Sequence, residues 1–133
     1  MKLQNPKASF DNYYSSDSPE NYVDYLVKQK NYRLPFYAAK LLKEHLTILN
    51  SQKSYETIFF GSGYGLDAAA LKYDYTYHDI LNYWLDQDPQ KHIFSGGDSR
   101  FKITMVDINE APLQFAYKVG LCDRFFPCDL KHK

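Results

Sequence analysis

The stretch Tyr55 to Tyr73, YETIFFGSGYGLDAAALKY, constrains the fold of this chain more than any other. Its opening run is short, aromatic and β-branched, and reads as a buried strand. Gly61, Gly63 and Gly65 follow at alternate positions, and LDAAALKY then supplies strong helix formers. The order is strand, tight glycine turn, helix, and further strands and a helix follow later in the chain. FKITMVDI, residues 101–108, reads as a second strand. Asn109 caps a helix over EAPLQFAYKVG, with Pro112 tolerated in its first turn and Gly120 as its stop. RFFPCDL, residues 124–130, reads as a third short strand. Strands alternating with helices imply right-handed crossovers and a parallel sheet.

Ahead of the first strand the pattern is helical. Residues up to about Ser18 are polar and aperiodic, and Ser18-Pro19-Glu20 then gives an N-cap followed by proline at the first helical position. Tyr22, Leu26 and Lys30 mark a helix ending near Asn31. Pro35 opens a second helix, in which Ala38, Leu41, Leu42, His45, Leu46 and Leu49 recur at three and four residues as an apolar face. A polar break at 50–54 separates it from the strand. Tyr73 to Trp84 reads as a further helix, and DQDPQKHIFSGGDS as loop. The expected architecture is α/β: a Rossmann-like three-layer α/β/α unit with a short, mostly parallel sheet of about three strands, behind N-terminal helices. The expected division is a helical segment over residues 1–53 and the α/β domain over 54–133, with an insertion at about 73–100.

Composition narrows the function classes. The 133 residues fit one domain, and the 44% hydrophobic content suffices for a core. Lysine plus arginine and aspartate plus glutamate each number 16, so nothing favours nucleic acid or an anionic membrane surface. No apolar run approaches the roughly 20 residues needed to span a bilayer, and the start MKLQNPKASF lacks a signal-peptide apolar region. These features predict a cytoplasmic protein. Cys122 and Cys128 lack metal or redox spacing and read as small buried apolar residues. No metal site is expected.

In a parallel α/β sheet, ligands lie outside the carboxyl ends of the strands, where helix N-termini offer free N–H groups to anions. The glycine turn falls at that place. A dinucleotide fingerprint needs its third glycine at the position held here by Leu66, so a nucleotide-dependent oxidoreductase is the remoter alternative. The spacing GSGYG after a hydrophobic strand instead resembles motif I of the class I S-adenosylmethionine-dependent methyltransferases. ITMVDINEAPLQFAYKVGL resembles that family's second strand, which ends in an acidic residue before a helix, and FFPCDL resembles its third.

Carried across the matching positions, the resemblance implies that Gly61, Ser62, Gly63, Tyr64 and Gly65 surround the methionine portion of S-adenosylmethionine. Asp107, with Ile108 beside it, would take the ribose hydroxyls. Asp129 would accept from the adenine amino group, with Cys128 or Leu130 beside the ring. The plainer alternatives are a solvated Asp107 that caps the next helix and a loop aspartate at 129. The acceptor of the methyl group would be a small molecule, and no catalytic residue is fixed; His78 and His92 are the candidate bases and, otherwise, surface histidines. The tyrosines of YDYTYHDILNYW would form either a lid or simple packing.

Two departures from the family stand out. Phe59 occupies the place where the family carries an acid that helps hold the cofactor's amino end, and Asp67 in the following helix is the nearest replacement. The family's sheet also has more strands than this chain supplies. The first strand would then expose an edge and apolar faces, to be covered by a homodimer, by a partner chain or by the rest of a longer protein. A non-catalytic S-adenosylmethionine-binding module, or pseudoenzyme, is the alternative function.

Overall fold

A computed structural model describes Tyr14, residues 16–49 and residues 53–129. The polar break at 50–52 and Leu130 lie outside the described residues. Three strands, β1 (Tyr55–Phe60), β2 (Phe101–Asp107) and β3 (Arg124–Pro127), form one sheet in the order β1-β2-β3. Both pairings are parallel, so the molecule has the α/β, Rossmann-like arrangement expected. The register sets Phe60 beside Val106 and Val106 beside Phe126, and it aligns the carboxyl ends of all three strands.

The helices are α1 (Glu20–Tyr22, continuing as a π-helix over Val23–Gln29), α2 (Leu34–Ile48), α3 (Leu66–Tyr73), α4 (Tyr77–Trp84) and α5 (Glu110–Lys118). α3 has the limits the sequence predicts because both are chemically marked. Gly65, at φ 98°, releases the chain from the turn, and Asp74, at φ 58°, ends the helix in a left-handed conformation. That left-handed residue also divides the continuous helix expected over 73–84. A new start follows at Thr76, whose hydroxyl accepts from Asp79 N while the Asp79 carboxylate accepts from Thr76 N. This reciprocal capping box fixes α4.

Two N-terminal expectations shift. α1 has Pro19, not Ser18, at its N-cap, and its π-helical course buries Tyr22, Val23 and Val27 in place of a 22, 26, 30 stripe. In α2 the buried positions are Pro35, Ala39 and Leu46, whereas Ala38, Leu41, Leu42, His45 and Leu49 of the expected apolar face are exposed. The helix therefore meets α3 with a narrow strip of smaller contacts and leaves its larger leucines outward.

The core lies between the sheet and the helices. Ile103, Met105, Leu113, Ala116, Val119, Ala68, Ala69 and Trp84 are all fully buried. The opposite sheet face is bare over much of its area. Ile58, Phe60 and Phe126 are 53%, 64% and 54% exposed, which the alternation of side chains places on one face by register. Cys122 is buried, as expected, and burial pushes its thiol up to about 12. Cys128 corrects the sequence reading: it is exposed, because it follows the last strand residue at an open edge.

Candidate ligand site at the carboxyl ends of the strands

β1 delivers the chain into the turn Gly61-Ser62-Gly63-Tyr64-Gly65, which is tied back to the sheet. Gly61 N and Ser62 N both donate to the Val106 carbonyl, at 2.8 and 3.3 Å, and Gly65 N donates to Ser62 O at 3.1 Å. Gly61 and Gly63 have φ of 63° and 54°, a left-handed geometry that costs a residue with a side chain about 1–2 kcal/mol. A Cβ on Gly61 would meet nothing within 4 Å, so its surroundings are open.

Asp107, the last residue of β2, crosses to this turn. Its Oδ2 accepts from Gly63 N at 2.7 Å, and its Oδ1 accepts from Asn109 N at 2.9 Å and from Asn109 Nδ2 at 3.2 Å. The carboxylate is buried, with only 7% of the residue exposed, and the three donors offset the desolvation that burial imposes. Asp107 is not the solvated aspartate of the plainer reading: it is buried, and it links the glycine turn to the residue that precedes α5. Asn109 stands at the N-cap position of α5 without a side-chain capping bond, because its amide is turned to Asp107. A charged carboxylate has about four lone-pair positions. Three are in use, which leaves capacity for one further donor or for an exchange with Asn109.

Two features of the turn differ from expectation. The side chain of Tyr64 is not at the ligand face; it is fully buried, and its hydroxyl donates to Ser16 O at 2.8 Å. Only its backbone belongs to the turn. The second is Tyr14, which the aperiodic N-terminal sequence gave no pattern to find. Its ring covers Gly63 so closely that an added Cβ would lie 3.0 Å from Tyr14 Cε1, and it stacks with Tyr64 at 6.1 Å and meets Tyr22 at 5.3 Å. Burial, and then the charge of Asp107, push the Tyr14 phenol up to about 12.

Ser62 adds an independent observation. Its hydroxyl is buried and has no hydrogen-bond partner among the described residues, a state that costs about 1–3 kcal/mol unless something else supplies the partner. The first turn of α3 is likewise without a side-chain cap, which leaves its leading N–H groups available to an anion. Ile108, beside Asp107, is exposed. Asp129 is half-buried two residues beyond β3, and Cys128 continues the pairing by donating its N–H to Asp107 O at 2.8 Å. The three strand ends thus bring Gly61–Gly65, Asp107–Ile108 and Cys128–Asp129 to one end of the sheet.

Phe59 turns toward α2 and shares a cavity of about 80 Å³ with Pro35, Ala38, Leu42 and Asp67. Asp67, half-buried there, has its carboxyl raised by desolvation. An acid therefore stands next to the Phe59 ring, in the first turn of the following helix rather than on the strand. The two histidines lie elsewhere. His92 stacks on Tyr83 at 3.9 Å and hydrogen-bonds to Tyr75, burial lowering its pKa, and His78 lines a groove along α2. Tyr73 and Tyr75 pack against Phe94 at 5.2 and 4.6 Å, which favours packing over a lid for these rings.

Among the described residues no group of three or more His, Cys, Asp or Glu side chains is arranged to hold a metal ion, and no helix is long and apolar enough to cross a membrane. No protein-family model, curated protein or solved structure matches the chain.

Proposed function

We propose that the chain binds S-adenosylmethionine at the carboxyl ends of its strands, as the cofactor-binding part of a methyltransferase acting on a small molecule in the cytoplasm. The observation that carries this reading is the 2.7 Å bond from Gly63 N to Asp107 Oδ2, which joins the glycine turn and the strand-end acid into one site. The unpartnered Ser62 hydroxyl and the open space at Gly61 fit a ligand there. The methionine carboxylate would lie at the turn and the leading N–H groups of α3, the ribose at Asp107, and the adenine beside Cys128 and Asp129. When bound, the cofactor supplies an electrophilic methyl group. The contribution of this chain is to orient it, since displacement at such a centre depends mainly on positioning.

Phe59 and the Tyr14 ring over Gly63 favour a second reading, a module that binds the cofactor without completing transfer. The exposed Ile58, Phe60 and Phe126 support a homodimer or a partner chain over the bare sheet face.

Calorimetric titration with S-adenosylmethionine tests the shared claim. The unmodified protein should bind saturably, and Asp107→Ala should bind about tenfold or more weakly, as expected for loss of a charged acceptor. Because Asp107 also braces the turn, Ser62→Ala is the control for folding. It removes an unpaired hydroxyl and should leave stability equal or higher while weakening binding. Absence of binding by the unmodified protein would sink the proposal.

A further inference from the structure

A groove of about 830 Å³ runs along α2 between that helix and the Ala70–His78 segment. It lies at the far end of α3 from the glycine turn, since the eight residues of that helix rise about 12 Å from Gly65 to the Asp74 break. We propose that this groove is a second ligand site, one that takes a flat aromatic carboxylate. Its volume lies within the range of about 300–1,000 Å³ typical of small-molecule sites.

The charge distribution selects an anion. Lys43 Nζ is paired with Asp74 and also reaches Ala70 O, so its charge is matched within the wall of the groove. Lys40 and Glu44 both line it, exposed and four residues apart on α2, and contribute one charge of each sign without an ion pair between them. Arg33 is left over: among the described residues no carboxylate pairs with it. Its guanidinium is nevertheless held in place. It lies 4.0 Å from the Tyr77 ring centroid, and Arg33 Nε donates at 2.8 Å to Oδ1 of Asn31, a residue held in the left-handed region at φ 54°. A guanidinium fixed through its face and Nε retains the Nη pair, a two-point donor for a carboxylate, with little side-chain entropy left to lose.

The remaining wall selects a flat apolar body. Phe36 meets Tyr77 edge-on at 6.3 Å, and Ala39, Ala70 and Tyr75 extend the apolar surface from there. A ring can stack beside Phe36 while its carboxylate lies on Arg33.

The test uses 2-naphthoate and the neutral 2-naphthamide as probes, titrated calorimetrically into the whole chain. The acid should bind saturably and at least about tenfold more tightly than the amide. Arg33→Gln should bring the acid down to the amide's level. Lys40→Trp, at an exposed position lining the groove one helical turn from Phe36, should block both without touching the core. S-adenosylmethionine binding should be the same in these variants, which separates this site from the glycine turn. Equal binding of acid and amide, no saturable binding of the acid, or an Arg33→Gln variant that still prefers the acid would overturn the proposal.

Discussion

Asp107 and Tyr14 together define the chemistry of the glycine turn. The carboxylate is engaged by Gly63 and Asn109, and the phenol above it is kept protonated by burial and by that same negative charge. Tyr22 and Tyr64, in ring contact with Tyr14, are shifted in the same direction, again chiefly by burial. The sign of the linkage follows. A phenol whose folded pKa exceeds its unfolded value contributes stability that is whole below about pH 10 and is lost as pH rises toward 12. Denaturant midpoints should therefore fall between pH 10 and 12, with a late tyrosinate absorbance step that accompanies unfolding. A folded protein whose tyrosines all ionise near pH 10 would contradict the buried cluster. Little of this was legible from residue types. The sequence marks Asp107 and the glycines by position, whereas the burial of Tyr64, the cover by Tyr14 and the exposure of Cys128 depend on contacts far apart in the chain.

At the scale of elements, boundaries carrying their own chemistry were readable and the others were not. β1, the glycine turn and α3 have the predicted limits because a hydrophobic run, positive-φ glycines and helix formers meet there. α4 begins later than expected because Thr76 and Asp79 form a capping box, a local signal outweighed by the aromatic periodicity around it. Thr76→Ala should cost about 1 kcal/mol in chemical denaturation, chiefly through α4; an unchanged midpoint would mean that packing of Trp84 and Ile80 alone holds the helix. The π-helical course of α1 and the rotation of α2 were not legible. A π turn shifts the buried positions off the α-helical spacing, and leucines on α2 fit an inward or an outward face equally well by periodicity alone.

The whole molecule has an unusual surface for a parallel sheet, since such sheets ordinarily have both faces covered. Here β1 lies at an edge, and among the described residues one face presents the exposed Ile58, Phe60 and Phe126. The three strands and their parallel pairing were predictable from the alternation of strand and helix, whereas the exposed edge at β1 was expected only from the resemblance to a family with a larger sheet. Sedimentation velocity at micromolar concentration should show self-association that Ile58→Lys with Phe60→Glu abolishes. A well-behaved monomer in the unmodified protein would remove the homodimer from the account.

The central claim is that the glycine turn and Asp107 form a site for S-adenosylmethionine, and backbone amide NMR reads it directly. Addition of S-adenosylmethionine should shift the amide resonances of Gly61, Gly63, Gly65 and Asn109 saturably and leave those of Lys43 and Thr47 in place. Unmoved glycine resonances at millimolar S-adenosylmethionine, or shifts confined to the α2 groove, would contradict it.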